Sequence, residues 1–192
     1  MKYFKIPLLF CFCLVLNSCD EDDILDFFED PEVDVNVNFV VPVQINSPTL
    51  SFPTQRVEFA RTGAYDVLAH PQVAEEIGEP ERIKKVVINS ITYEFINFSG
   101  NVDAEVEGEL RFPIGPLTED NFYMPSVIAA ESDLFGTVYT INGNFENVNA
   151  YITNSKFVEF TYRGAATHNP VNFTLQVIIN ATVTVELNLD DL

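Results

Sequence analysis

The feature that most constrains the fold is a long alternation of apolar and polar residues. From Val171 to Leu189 every odd-numbered residue is apolar, and the even-numbered residues are polar apart from Ile178. Successive side chains of a strand point to opposite faces of a sheet, so this period of two predicts a β-strand with one buried face. These nineteen residues would extend about 60 Å, which exceeds a small domain, so we expect the strand to bend, change sheets or project.

Two earlier segments alternate in the same way. The odd positions are apolar from Val33 to Ile45, and the even positions from Val102 to Phe112, apart from Gly108. One buried face per strand is typical of antiparallel sheets. Pro42 predicts a sheet edge or a bend, because proline cannot donate to the ladder. In RIKKVVINSITYEFINF the apolar phase shifts near Asn89 and Ser90, which predicts a bulge or two short strands.

Helix signals are few. Gln72 to Ile77 predicts a turn or two of helix, and a second helix is predicted where Phe145, Val148 and Ile152 have helical spacing. A strand is predicted from Lys156 to Gly164.

The remaining segments are read from their turn residues. LFGTVYTING ends in the turn signal Asn142-Gly143, and the proline and glycine residues from Phe112 to Pro125 predict a loop. The whole pattern predicts an all-β fold, an antiparallel two-layer β-sandwich with one or two short helices. A single closed sheet is the alternative.

The start of the chain has the three parts of a secretory signal peptide. Two lysines within Met1 to Lys5 precede an eleven-residue apolar run, Ile6 to Leu16, and the small or polar Asn17 and Ser18. Eleven apolar residues are too few to cross a hydrocarbon core about 30 Å thick.

The stretch LNSC, Leu16 to Cys19, resembles the lipobox of bacterial lipoproteins. The resemblance implies that residues 1–18 are removed and that Cys19 becomes the first residue of the mature chain, acylated on its sulfur and on its amine. Three acyl chains would hold the protein on a bilayer without any protein contact. An ordinary signal peptide that is cut nearby is the alternative.

A run of acids follows the cysteine. Nine acids and no base lie between Asp20 and Asp34, and like charges keep a segment extended, so we expect residues 19–32 to form a flexible tether. No second zone of composition follows, so residues 33–192 are expected to form one domain.

The first four of these acids, Asp20, Glu21, Asp22 and Asp23, resemble the surface-export signal of Bacteroidota lipoproteins. The resemblance implies a lipid anchor in the outer membrane with the domain facing the medium. Two alternatives stay open. In other Gram-negative bacteria, an aspartate directly after the cysteine marks inner-membrane retention. The acidic run is a plain linker if it contains no localisation signal.

Charge and cysteine content exclude several classes of partner and bond. The formal net charge is −19, and it becomes −21 when Lys2 and Lys5 leave with the signal peptide. Such a chain repels nucleic acid and anionic headgroups. Cys11 and Cys13 would leave as well, so the mature chain would have one cysteine and no internal disulfide.

The sequence offers no catalytic or metal-binding motif. Its two histidines, His70 and His168, lie in loop contexts without histidine or cysteine at ligand spacing. Asp103, Glu105, Glu107 and Glu109 alternate along one strand, so they should point in parallel to solvent and not converge on a cation. We therefore expect no enzyme, no cofactor and no metal. Carboxylates paired only in space stay open.

Aromatic residues are abundant as phenylalanine, and tryptophan is absent. Most of the phenylalanines should be core. The missing tryptophan counts against a glycan-binding module, and Tyr65, Tyr123 and Tyr151 are the remaining candidates for a sugar platform.

Two functional hypotheses follow. The first is a non-enzymatic surface lipoprotein that binds another envelope protein, with its long terminal strand available for strand addition. The second is a binder of a small or apolar ligand between the sheets. An exposed apolar strip would favour the first hypothesis, and a closed cavity the second.

Overall fold

Alternating apolar residues in this chain form two antiparallel sheets. The computed structural model describes residues 32–76 and 82–186. The strands are β1 (Glu32–Asn46), β2 (Val57–Asp66), β3 (Ile83–Gly100), β4 (Glu105–Gly115), β5 (Thr118–Ile128), β6 (Tyr139–Ile141), β7 (Phe157–Ala166) and β8 (Val171–Glu186). The helices are α1 (Pro71–Glu76), α2 (Ala129–Phe135) and α3 (Glu146–Ser155), and a 3₁₀ turn covers Val67–Ala69.

The strands form two four-stranded sheets. Sheet A has the order β1-β8-β3-β6, and sheet B has the order β2-β7-β4-β5. Every neighbouring pair is antiparallel. The buried faces of both sheets contribute to one hydrophobic core. The predicted all-β, antiparallel two-layer sandwich is therefore confirmed.

Strand β8 lies inside sheet A, between β1 and β3. Its odd-numbered residues are buried from Val171 to Val185, as the alternation predicts; Leu187 and Leu189 lie outside the described residues. It pairs with β1 along its whole described length, and with β3 from Gly100↔Val171 to Ile83↔Val185. No described part of β8 therefore projects with free backbone groups, and strand addition by its end at residues 187–189 stays a prediction, because those residues lie outside the described ones.

The length of β8 is accommodated by irregularities in its neighbour. The register between β3 and β8 shifts at three points, including one between Ile88 and Ser90. The bulge predicted near Asn89 is confirmed. Bulges raise the local twist, so the long strands can coil around the core. On the other side of β8, β1 is an edge strand, as Pro42 predicts.

The predicted loop from Phe112 to Pro125 is wrong. This segment forms most of the β4–β5 hairpin, with only Pro116 and Leu117 between the strands. Phe112, Phe122 and Met124 supply the buried alternation that outweighs the proline signals.

The sequence predicted two of the three α-helices in the described residues. α1 and α3 are confirmed apart from Ile77, which lies outside the described residues. α2 was missed: it has no side-chain N-cap, and its large apolar residues Leu134 and Phe135 are exposed, so it carries no amphipathic pattern.

The two ends of the sandwich differ. The segments 47–56, 101–104 and 167–170 connect the sheets at one end, which we call the loop end. Glu32, the β4–β5 turn and the end of β8 at Glu186 lie at the opposite end, which we call the hairpin end. β1 has 15 residues, which separates the two ends by roughly 45–50 Å.

Candidate functional site

The outer face of sheet A is a polar ladder whose groups bond to one another. Thr184 donates to Asp34 (2.7 Å), Thr182 to Asn36 (2.9 Å) and Asn180 to Asn38 (2.9 Å). The bulged Asn89 donates to both Asn180 (3.1 Å) and Thr182 (3.0 Å). Because these side chains satisfy one another across three strands, the ladder stabilises the sheet and leaves few groups free for a ligand.

The outer face of sheet B is organised differently. The register places Ala60, Arg163, Glu109 and Tyr123 side by side in one row across β2, β7, β4 and β5. The Tyr123 side chain is 70% exposed, although its neighbours on β5, Phe122 and Met124, are buried. The side chain of Arg163 is exposed and makes no hydrogen bond or ion pair within the described residues. This face therefore presents an aromatic ring and a guanidinium group without partners of their own.

A depression of about 620 Å³ lies on one side of Tyr123. Its base is formed by small residues, namely Ala60, Gly108, Gly164 and Ala165. Arg56, Glu58, Glu107, Glu109 and Arg163 surround that base. Arg56 pairs with Glu107 at 2.7 Å.

The glycines in this depression make room for a core tyrosine. Gly108 and Gly164 lie opposite each other on β4 and β7. A Cβ on Gly108 would lie 2.5 Å from a ring carbon of Tyr162, and a Cβ on Gly164 would lie 2.7 Å from the Tyr162 hydroxyl. Both distances are too short for real contacts, so glycine at these positions lets Tyr162 pack directly beneath the sheet.

A second depression, of about 410 Å³, lies on the other side of Tyr123. It is lined chiefly by polar residues: Asp120, Asn121, Asn142, Asn144 and Asn147. Asn147 donates to Asp120 at 3.2 Å, and Asn144 caps the start of α3 by accepting from the Glu146 N–H at 3.0 Å. We call the two depressions and the tyrosine between them the Tyr123 surface.

The acidic row predicted on β4 becomes part of this face. Glu107 is paired with Arg56, and Glu109 with Arg111. The hydrogen bond that Arg111 donates to Glu109 raises the pKa of Arg111. Asp103 and Glu105 remain exposed nearer the loop end. Within the described residues no group of three or more histidine, cysteine or carboxylate side chains is placed to hold a metal ion.

The two histidines lie apart and in different settings. His70 follows the 3₁₀ turn, and its ring meets the edge of Phe39 with centroids 5.7 Å apart. Its Nδ1 is buried without a hydrogen-bond partner among the described residues. His168 lies at the loop end, where its Nδ1 is 3.0 Å from the Thr167 hydroxyl. The fold brings neither of them to the Tyr123 surface.

Two tyrosines are buried in the core with unpaired hydroxyls. Neither the Tyr93 nor the Tyr162 hydroxyl has a hydrogen-bond partner among the described residues. Burial, together with the nearby Tyr139, raises the pKa of Tyr93 to about 12. Burial also raises the pKa of Tyr162 far above its ordinary value. Tyr93 stacks on Tyr139 with ring centroids 5.1 Å apart.

The loop end is held together by one buried side chain. Asn169, which is 1% exposed, accepts from the Leu50 N–H at 2.7 Å. Its amide nitrogen donates to the carbonyls of Phe52 (2.8 Å) and Gln55 (3.0 Å). These bonds fix the segment 47–56, which presents the 69% exposed ring of Phe52.

Further large apolar side chains are exposed at or near the loop end. Val102, in the neighbouring loop, is 64% exposed. α2 packs beside the loop-end half of β3, where Asp133 accepts from the Phe98 N–H at 2.8 Å. Leu134 and Phe135 at the end of α2, and Val138 shortly after it, are 78%, 75% and 56% exposed. We call Phe52, Val102, Leu134, Phe135 and Val138 the loop-end apolar residues.

The outer edge of β3 is closed by side chains from and after α3. Asn149 accepts from the Ile88 N–H at 2.9 Å, and Thr153 from the Val86 N–H at 2.9 Å. Lys156 donates to the Ile83 carbonyl at 2.7 Å. Because these groups occupy the backbone of this edge, it offers no template for strand addition at these positions.

The predicted lipidation residue Cys19 and the predicted export signal, Asp20 to Asp23, lie outside the described residues. Within the described residues, no helix has the length and apolar character that a membrane span requires. No protein-family model matches the chain, and a search of curated proteins finds no similar sequence.

Proposed function

We propose that this chain is a lipid-anchored lipoprotein of the outer membrane, exposed at the cell surface, whose sandwich binds another envelope protein without catalysing a reaction. The observation that carries the proposal is the concentration of exposed apolar residues at the loop end, opposite the end at which the chain joins β1. The lipid anchor is inferred from Cys19, and the location at the cell surface is inferred from the acids that follow it.

The covalent connection of the domain supports this role. The segment that carries Cys19 joins the described domain at Glu32, at the hairpin end. A chain of the length between Cys19 and Glu32 reaches at most about 45 Å. A domain tethered there has its opposite end free for contact with a neighbouring protein.

The exposed residues are of the kind that carry binding energy. Scattered apolar residues are normal on a protein surface, but aromatic side chains dominate the energetics of interfaces. Phe52 and Phe135 are both more than two-thirds exposed. Asn169 fixes the Phe52 loop before any partner arrives, so less conformational entropy is lost on binding.

No observation favours the alternative, a small or apolar ligand between the sheets. The two depressions described above open on outer surfaces, and large side chains such as Phe95, Phe112 and Tyr162 are fully buried between the sheets. A partner protein at the loop end accounts better for the distribution of apolar surface.

The proposal is tested by site-specific photo-crosslinking in intact cells. A photoreactive residue replaces Phe52 or Phe135 in the whole lipidated chain, and Leu117 serves as the matched control because it is 98% exposed but lies at the hairpin end. We expect Phe52 and Phe135 to yield the same membrane-protein adduct and Leu117 to yield none. Equal adducts from all three positions, or none from the loop end, would contradict the proposal.

A further inference from the structure

The two outer faces of the sandwich provide an internal comparison. On sheet A the polar side chains hydrogen-bond to one another in a ladder, which accounts for their presence without a ligand. On sheet B the exposed Tyr123 lines both depressions and Arg163 lines one of them, and neither side chain has a hydrogen bond or ion pair within the described residues. The composition of the Tyr123 surface therefore indicates a ligand-binding site.

The shape of the Tyr123 surface suits an elongated molecule. Tyr123 lines both depressions, so a ligand that fills both must pass across its ring. The depressions have volumes of about 620 and 410 Å³, each within the usual range of roughly 300–1,000 Å³ for small-molecule sites. The row formed by Ala60, Arg163, Glu109 and Tyr123 extends across all four strands.

The charge of this surface selects against ionic ligands. Two arginines are outnumbered by the carboxylates of Glu58, Glu107 and Glu109, with Asp120 beyond the tyrosine. An anion such as a phosphate or a uronate would be repelled by this excess. The carboxylates of Glu107 and Glu109 are already paired with arginines, so they do not gather into a cation site either.

The polar groups that remain suit hydroxyl groups. Asn121 and Asn142 offer amides that both donate and accept, and the Arg163 guanidinium adds donors in a fixed planar arrangement. Asn144 and Asn147 line the same depression but already bond to Glu146 and Asp120. A sugar hydroxyl also donates and accepts, and the C–H face of a sugar ring packs on the flat apolar body of a tyrosine. A single exposed tyrosine can provide this platform even though the chain lacks tryptophan.

We propose that the Tyr123 surface is a binding site for a neutral oligosaccharide chain, which lies across the Tyr123 ring with its hydroxyls bonded to the asparagine amides on one side and to Arg163 on the other. This site lies on the outer face of sheet B and is separate from the loop-end apolar residues. The inference adds a second binding activity and does not depend on the proposed protein partner.

The test is affinity electrophoresis of the full lipidated protein in detergent micelles. The gels contain one neutral polysaccharide each, namely dextran, xylan, mannan or a β-glucan, or the anionic polygalacturonate. We expect retardation by at least one neutral polymer and none by polygalacturonate. Tyr123→Ala should weaken that retardation about tenfold or more, whereas Tyr123→Phe, which keeps the ring, should retain most of it.

Two controls separate the site from the rest of the domain. Val40→Ala removes an exposed apolar side chain from the outer face of sheet A and should leave retardation unchanged. Phe52→Ser should abolish the crosslinked adduct of the proposed protein partner but leave retardation by the polysaccharide intact. Far-UV circular dichroism and thermal unfolding confirm that each variant is folded.

Three outcomes overturn the inference. The first is no retardation of the wild-type protein by any of the neutral polymers. The second is retardation that Tyr123→Ala leaves unchanged. The third is loss of the protein adduct in Tyr123→Ala without sugar binding in the wild type, which would assign this surface to the protein interface and leave the proposed partner function standing.

Discussion

Asn169 and Tyr162 are both buried, and their polar atoms have opposite surroundings. The Asn169 side chain bonds to four backbone groups of the segment 47–56, so its burial is compensated and the loop is fixed. The Tyr162 and Tyr93 hydroxyls find no partner among the described residues. A buried hydroxyl without a partner costs roughly 1–3 kcal/mol, so these tyrosines stabilise the core through their rings alone.

The buried tyrosines predict a loss of stability at alkaline pH. The pKa values of both tyrosines are raised in the folded state. As the pH rises, the same tyrosines therefore ionise first in the unfolded chain, above the ordinary tyrosine pKa near 10. The contribution of these two tyrosines to the free energy of unfolding should be constant below that pH and fall by up to about 1.4 kcal/mol per pH unit and tyrosine above it. For Tyr93 this fall should level off near its folded pKa of about 12.

The double variant Tyr93→Phe, Tyr162→Phe should remove that alkaline loss. At neutral pH it should be as stable as the wild type or more so, because the unpaired hydroxyls are gone and the rings remain. Urea unfolding followed from neutral to alkaline pH measures both effects. A loss of more than about 1 kcal/mol at neutral pH would mean that the hydroxyls have a bonding partner in solution.

At the scale of strands and helices, local patterns predicted what depends on one segment and missed what depends on pairing. The alternation of β8, the bulge at Asn89 and the spacing of Val148 and Ile152 on α3 are properties of single segments, and all three were predicted correctly. β5 and the end of β4 were missed because their prolines resemble loop residues, while their burial depends on partners elsewhere in the chain.

The candidate site was predictable only in part, for the same reason. Tyr123 was one of three tyrosines proposed as a sugar platform, and the structure exposes it more than Tyr65 or Tyr151, which are half-buried. Arg163 and Asn147 were not proposed, because only the register of β7 against β4 and the position of α3 bring them near Tyr123. The one sequence signal for Arg163 was its position in the alternation of β7, which places its side chain on the outer face of sheet B.

The register of β8 predicts opposite responses to two substitutions. Val177→Asp places an unpaired charge in the core, at a cost of several kcal/mol against a typical total of about 5–15 kcal/mol, so this variant should not fold. Thr182 faces outward but bonds to Asn36 and Asn89, so Thr182→Val should fold and lose about 1 kcal/mol.

Circular dichroism and urea unfolding of the two β8 variants check this contrast. The alternation along β8 places Thr182 on the outer face, where a substitution by itself would cost little, whereas the polar ladder on sheet A predicts a small, measurable loss. A folded Val177→Asp variant, or a Thr182→Val variant as damaged as Val177→Asp, would be incompatible with the register of β8 described above.

At the scale of the whole molecule, charge is distributed unevenly along the chain. Eight of the ten bases lie between Arg56 and Arg163, and the charged residues from Asp20 to Asp34 are all acids. Within the domain, arginines on sheet B pair with Glu107 and Glu109. The acids after Cys19 have no base near them in sequence, so nothing local neutralises them, as expected of a solvated tether or a signal that is read by export machinery.

The acids next to Cys19 predict a position-dependent effect on export. If residues 20–23 are the surface-export signal, replacing all four by alanine should reduce cleavage of the domain by protease added to intact cells, while acylation at Cys19 and the total amount of lipoprotein stay constant. The matched control removes the same charge further along, at Asp26, Glu29, Asp30 and Glu32, and should leave cleavage unchanged because a signal depends on its distance from the lipidated cysteine.

A general effect of charge would impair both variants equally, and a plain spacer would impair neither. Labelling with a fatty-acid probe, with Cys19→Ala as the unlabelled reference, confirms that all forms compared on the cell surface carry the lipid. Equal cleavage of the two alanine variants by the added protease would show that residues 20–23 are not an export signal and that the segment acts only as a tether.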